Sequence, residues 1–244
     1  MPKINKDSAL NITFVGIGLC LLCSAIISFI AIQLRSVQEN NVVLDMQKKI
    51  VSSAGLEKIY GSVENAMSNI KTLIIDLDKG EIVDINPDSY ELAKELREDG
   101  KYKFLSAEED VASIKKREKY SKIYIEYKDN EINTLILPVR GYGLWGILYG
   151  YLAIEGDLNT VAGLEFYEHK ETPGLGAEID NPKWKALWKG KKIYQDNGEV
   201  SLKVIKGSVL ETSNNFSYEV DGLSGATLTC NGVSNLIAYW MGND

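Results

Sequence analysis

The first hydrophobic feature of the chain is an unbroken block. No charged residue stands between Asp7 and Arg35, and the apolar run 12–34 is long enough, at about 1.5 Å per helical residue, to cross a hydrocarbon core of roughly 30 Å. This predicts one membrane-spanning helix. Ser28-Phe29-Ile30 and Ile32-Gln33-Leu34 offer no small-residue cleavage site, so the anchor is expected to stay. Gly16, Cys20, Ser24 and Ser28 form a stripe of small side chains on which another membrane helix could pack. Cys20 and Cys23 have Cys-x-x-Cys spacing but lie inside an apolar helix, where they read as packing residues and not as a redox or metal pair.

Beyond Arg35 the periodicity becomes helical and then alternating. Val42, Val43, Met46 and Ile50, followed by Leu56, Ile59, Val63, Met67 and Ile70, predict a helix leaving the membrane, a break near Gly55 and a second helix. Segments 72–77 and 81–85 around Asp78-Lys79-Gly80 read as a hairpin, and 90–97 as a helix started by Asn86-Pro87 and closed by Gly100. The alternating charges of 106–119 predict a solvated helix. Segments 123–127 and 132–139 form a further hairpin, with strands at 147–155, 160–167, 192–194 and 200–205. A short helix is expected from Asn181-Pro182 through Trp188, and 216–220 leads towards a last amphipathic helix at 228–241.

These elements predict an α+β fold: a single N-terminal transmembrane helix, then a domain of mostly antiparallel sheets with flanking helices. We divide it into a tail and anchor (1–35), a helical linker with an α/β subdomain (36–138), and a C-terminal domain (139–244). A length of 244 residues with 45% hydrophobic content suffices for an ordinary core, and the net charge of -7 argues against nucleic acid as a partner. Charge does not orient the anchor, because Lys3 and Lys6 precede it while Arg35, Lys48 and Lys49 follow. Three cysteines, two of them in the anchor, make no disulfide framework.

Candidate chemistry gathers in three places. Asp221-Gly-Leu-Ser224-Gly225-Ala226-Thr227-Leu-Thr229 strips the backbone of bulk beside three hydroxyls, a composition suited to a phosphate; a tight turn with Thr227 or Thr229 as N-cap is the alternative. His169-Lys-Glu171-Thr172-Pro173-Gly174-Leu175-Gly176 cannot continue regular structure, so Glu171 and Thr172 sit on a fixed loop where a sheet ends. Gly141-Tyr-Gly143-Leu144-Trp145-Gly146 brings backbone and an aromatic face together, which serves either a planar ligand or a packed sheet corner.

In this order the three motifs resemble the FMN-binding domains of redox-driven ion-pump subunits. Within that group they look like the C subunits of Na+-translocating NADH:quinone reductases, and the match extends over nearly the whole chain. The shorter G subunit of the Rnf ferredoxin:NAD oxidoreductases is the alternative within the group. The resemblance implies FMN held as a phosphoester on Thr227, delivered from FAD by a separate flavin transferase. It also implies contacts to the cofactor from Ser224, Gly225, Ala226, Glu171, Thr172, Leu175, Gly176, Leu144 and Trp145, with Lys206 as a nearby positive charge. No catalytic residue and no metal ligand is expected, since the redox chemistry belongs to the flavin. His169, the only histidine, has no clear proton-transfer task and is expected to fix its loop.

By the same resemblance the chain relays electrons inside an inner-membrane assembly of six subunits that oxidises NADH, reduces ubiquinone and exports Na+. Its N-terminus would be cytoplasmic and its flavin domain periplasmic. No Gly-x-Gly-x-x-Gly between strand and helix offers NADH a site, and the span carries no charged residue for Na+, so both tasks fall to partner subunits. Two other classes compete. Gly222-Leu-Ser224-Gly-Ala226 approaches a hydrolase nucleophile elbow with His169 as base, although Ala replaces the final Gly and the histidine precedes the serine. A non-catalytic anchored sensor or assembly module would need no cofactor.

Overall fold

The computed structural model describes residues 8–242, so Lys3 and Lys6 lie outside it. The chain divides into two units, residues 1–46 and 47–244. In the first, helix α1 (Ala9–Ser53) begins, and it contains an apolar window of mean hydropathy 2.6 with none of its surface buried by protein. It is the one helix among the described residues long and apolar enough to cross a membrane. Its end belongs to the second unit and is made by a Schellman stop: Leu56 N–H donates to Val51 O (3.1 Å), Gly55 N–H to Ser52 O (3.0 Å), and Gly55 takes φ +66°.

Eight strands of the second unit fall into two sheets. They are β1 (Ile70–Asp76), β2 (Glu81–Val83), β3 (Tyr102–Phe104), β4 (Lys116–Glu118), β5 (Tyr120–Lys128), β6 (Glu131–Tyr142), β7 (Ile147–Glu155) and β8 (Val161–Glu168). The main sheet has six of them in the order β2-β1-β5-β6-β7-β8, antiparallel throughout, and β3 pairs with β4 apart from it. Alternate residues of β7 feed two cores. Leu148, Leu152 and Ile154 face one, with Trp184, Trp188, Val233, Leu236 and Ile237; Tyr151 and Ala153 face the other, with Ile50, Val51, Leu56 and Ala66. The second core therefore packs the last turns of α1 against the sheet. Buried Glu165 on β8 fastens them there, accepting from Ser52 Oγ (2.9 Å) and Lys185 Nζ (2.6 Å).

Three sequence expectations are corrected. Residues 106–119 are not a helix: the Asp110 carboxylate accepts from the Ile114 and Lys115 amides (2.7 and 2.8 Å), and Ser113 and Lys115 take positive φ. That turn sends the chain back to pair β4 with β3, whereas charge alternation alone does not distinguish a helix from a turn-and-strand. The single helix after Gly55 is two short ones, α2 (Glu57–Tyr60) and α3 (Val63–Ser68), parted by Gly61 at φ +79° and restarted by the Ser62 side chain, which accepts from Asn65 N–H. The helix expected at 90–97 is a 3-10 turn, Pro87–Ser89, followed by α4 (Leu92–Glu95).

Regular pairing is also sparser near the C-terminus than the pattern suggests. Residues 192 and 194 make isolated bridges to Thr160 and Val200. In this region only β9 (Lys203–Val204) and β10 (Glu219–Val220) form strands, paired in parallel with each other. Two helices complete the unit, α5 (Pro182–Ala186), capped by the Asn181 side chain, and α6 (Thr227–Met241). Thr229, Cys230, Val233, Leu236, Ile237 and Met241 belong to the buried stripe of α6.

Candidate functional site

All three sequence motifs meet at the start of α6. The 171–176 loop leaves the end of β8, the 143–146 turn joins β6 to β7, and the 221–226 turn follows β10. Glu171 ties them together. One carboxylate oxygen accepts from the backbone amides of Leu144 and Trp145 (3.0 Å each), and the other accepts from the Thr229 hydroxyl. The residue is only 5% exposed, so each of these donors replaces water it has lost.

Close approach at this junction depends on missing side chains. A Cβ at Gly176 would stand 2.5 Å from Thr229 Oγ1 and 2.6 Å from Glu171 Oε2, and one at Gly232 would stand 2.3 Å from Tyr142 O. Gly232 thus lets α6 lie directly on the 142–143 backbone. Gly232→Ala is expected to push the helix off this turn at a cost of about 1–3 kcal/mol, read as a thermal midpoint lower by roughly 5 °C. A midpoint within a degree of wild type would show that the helix is free to shift.

The 221–226 turn is held from several sides. Trp184 Nε1 donates to Asp221 O (2.8 Å), the Asp221 carboxylate accepts from Val209 N–H (2.7 Å), and Gly222 N–H donates to Gly207 O (2.8 Å). Leu223 N–H donates to Cys230 Sγ (3.2 Å), and burial pushes that thiol above its ordinary range, which keeps it protonated. Gly225 takes φ +72°, and a Cβ there would lie 3.0 Å from Leu175 Cδ2. Thr227 is the first residue of α6 and is exposed. No side chain caps the helix, so its first amides are open to an anion.

The predicted residues divide by role. Glu171, Gly176 and Ala226 are buried, and Ser224, Gly225, Thr227 and Thr172 are exposed. The large apolar side chains of the site are also turned outward: Trp145 is 62% exposed, Leu175 44% and Leu144 38%. Lys206 is exposed beside the turn, next to the Gly207 carbonyl that Gly222 bonds. Sequence reasoning missed Thr229 as the partner of Glu171, and also Leu228, 57% exposed in the first turn of α6. An apolar residue beside the hydroxyls on a helix start was its one available sign.

This donor and contact set fits FMN. Open helix amides and a glycine turn suit the phosphate, the exposed Thr227 hydroxyl offers an attachment point, and the outward apolar side chains suit a ring system. It does not fit the hydrolase reading. His169 uses Nδ1 to accept from Glu171 N–H (3.2 Å) and Nε2 to bond Asp180 (2.9 Å), leaving neither nitrogen for Ser224.

Comparison with known proteins agrees with this geometry. The family model of the FMN-binding domain matches residues 143–242. The C subunit of the Na(+)-translocating NADH-quinone reductase of Pseudomonas aeruginosa is 45% identical, covering 98% of this chain and 94% of its own. Its counterpart in Vibrio anguillarum is 41% identical, covering 98% and 92%. The crystal structure of Shewanella oneidensis NqrC aligns with TM-score 0.72 at 30% identity, over 81% of this chain and 90% of that one. The whole-length relatives, the three-motif junction and the N-terminal apolar helix lead to one assignment: the chain belongs to the family of C subunits of Na+-translocating NADH:quinone reductases.

Proposed function

We propose that this chain carries FMN as a phosphoester on Thr227 and relays electrons within a membrane-bound Na+-translocating NADH:ubiquinone reductase. The observation that carries this reading is the exposed Thr227 hydroxyl on an uncapped helix start, beside outward-facing Leu144, Trp145, Leu175 and Leu228. In attachment, the P–O–P bond of FAD breaks, the Thr227 Oγ1–P bond forms, AMP leaves and the hydroxyl proton is given up. A threonine hydroxyl is a weak nucleophile, so a separate flavin transferase and its metal ion supply the activation.

Once bound, the flavin supplies the redox chemistry. The chain's own residues hold it. The first amides of α6 and Ser224 bond the phosphate, Lys206 lends positive charge, and Leu144, Trp145, Leu175 and Leu228 cover apolar ring surface. Thr172 adds a polar contact. Gly225 and Ala226 keep the approach to Thr227 open, and Gly176 lets the 171–176 loop close against Thr229.

The anchor spans the inner membrane once, with the N-terminus in the cytoplasm and the flavin domain in the periplasm, among the other members of an assembly of six subunits. NADH oxidation and Na+ passage belong to those partners. Peptide mapping of the chain from native membranes tests the proposal: the tryptic fragment containing Thr227 is expected to carry the mass of an FMN ester and to fluoresce. An unmodified fragment, or a colourless protein from cells that express the transferase, would favour the cofactor-free module instead.

A further inference from the structure

We propose that His169 is a positioning residue of this site: its bare Nδ1 holds the Glu171 amide, and with it the carboxylate that joins the 144–145 turn to α6, so protonating the imidazole loosens the junction. The proposal rests on the site being the FMN site, but its geometry does not require the cofactor.

The tautomer follows from the partners. Glu171 N–H can only donate, so the His169 Nδ1 it meets at 3.2 Å must be unprotonated. The ring proton is then on Nε2 and is donated to Asp180 Oδ2 at 2.9 Å. A second proton would place an N–H on Nδ1 facing the N–H of Glu171, and two donors cannot share that contact. Asp180 would keep its bond and gain a charged partner, so the displacement falls on Glu171. The imidazole is within reach of solvent, its side chain being 15% exposed, whereas Glu171 is buried, which raises the cost of losing its acceptor.

Charged groups beside the ring come from its own loop and from the elements next to it. Asp180 belongs to the 3-10 helix Gly176–Asp180 packed beside β8, and Glu168 ends β8. On the histidine's own loop are Lys170, whose stem lies 3.2 Å from where a Gly146 Cβ would stand, and Glu171 itself. Movement of Glu171 reaches two other elements at once, because its carboxylate is the shared acceptor of Leu144, Trp145 and Thr229. The single histidine of the chain thus bonds the very residue whose carboxylate assembles the site.

Amide spectra of the full chain in detergent micelles, recorded as the pH is lowered, test this with flavin bound and in flavin-free Thr227→Val. In the wild-type sequence the Glu171, Leu144 and Trp145 amides are expected to shift together with a single one-proton midpoint. In His169→Asn, whose Oδ1 can replace Nδ1 as acceptor without titrating, they are expected to keep their high-pH positions. His169→Ala should hold them at the low-pH positions throughout. Leu144 and Trp145 amides that stay fixed while His169 titrates, or that titrate equally in the Asn variant, overturn the proposal. Absence of flavin from the wild-type chain would defeat the cofactor reading alone, because the flavin-free chain still reports on His169.

Discussion

Replacing Thr227 with valine is expected to give a folded chain that carries no flavin after purification and denaturation. Valine keeps the branched shape at an exposed position, and the lost hydroxyl caps nothing, so stability should change by no more than about 0.5 kcal/mol. The effect on the cofactor is all or none, because no other hydroxyl has the same position on the helix start. Ser224 lies before the positive-φ Gly225, and Thr229 is buried with its hydroxyl donated to Glu171. Fluorescence of the denatured band together with intact mass measures the outcome. Covalent flavin surviving in the variant would place the attachment elsewhere.

Glu171→Ala is expected to destabilise the junction strongly. It leaves the Leu144 and Trp145 amides and the Thr229 hydroxyl without their acceptor, which sums to about 3 kcal/mol after partial rescue by water. Glu171→Gln should cost only about 1 kcal/mol, since the amide oxygen can still serve both backbone donors while the Thr229 hydroxyl turns to accept from the new NH2. Urea unfolding of the two variants separates these cases. Equal losses would mean that charge, and not the acceptor count, is what the junction needs.

Much of this was legible in the sequence because it rests on local rules. The apolar block, the hairpins around 78–80 and 128–131, and the amphipathic C-terminal helix follow from period and turn residues, and they appear with boundaries shifted by a few positions. The segments that misled share a cause. The alternating charges of 106–119 suit a helix, but the Asp110 carboxylate decides that turn, and the helix expected at 90–97 is shortened to Leu92–Glu95 behind a turn held by the Asn86 side chain; periodicity encodes neither contact. β9 lies inside the strand expected at 200–205, but its parallel pairing with the two-residue β10 is a tertiary contact that period does not encode.

At the site the same division holds. The glycines, the hydroxyls and Glu171 were visible as motif members, yet the role of Glu171 as common acceptor for two loops and a helix is a tertiary fact. Thr229 could not be picked out, because its importance comes from what stands opposite it. Exposure was equally hidden: nothing in the string distinguishes an outward Trp145 from the fully buried Trp188.

One helix carries both the apolar run and part of the core. Ile50 and Val51 are as much a part of the globular unit as any residue of its sheet, so the natural seam for severing the protein lies inside α1 and not at its end. Excision after Ser53 would strip a wall from Ile136, Tyr151 and Ala153 and leave Glu165 with fewer partners, whereas excision near Met46 spares them. A water-soluble form should therefore begin near Gln47 and keep about two turns of α1, a stretch that the sequence places beyond the apolar run 12–34.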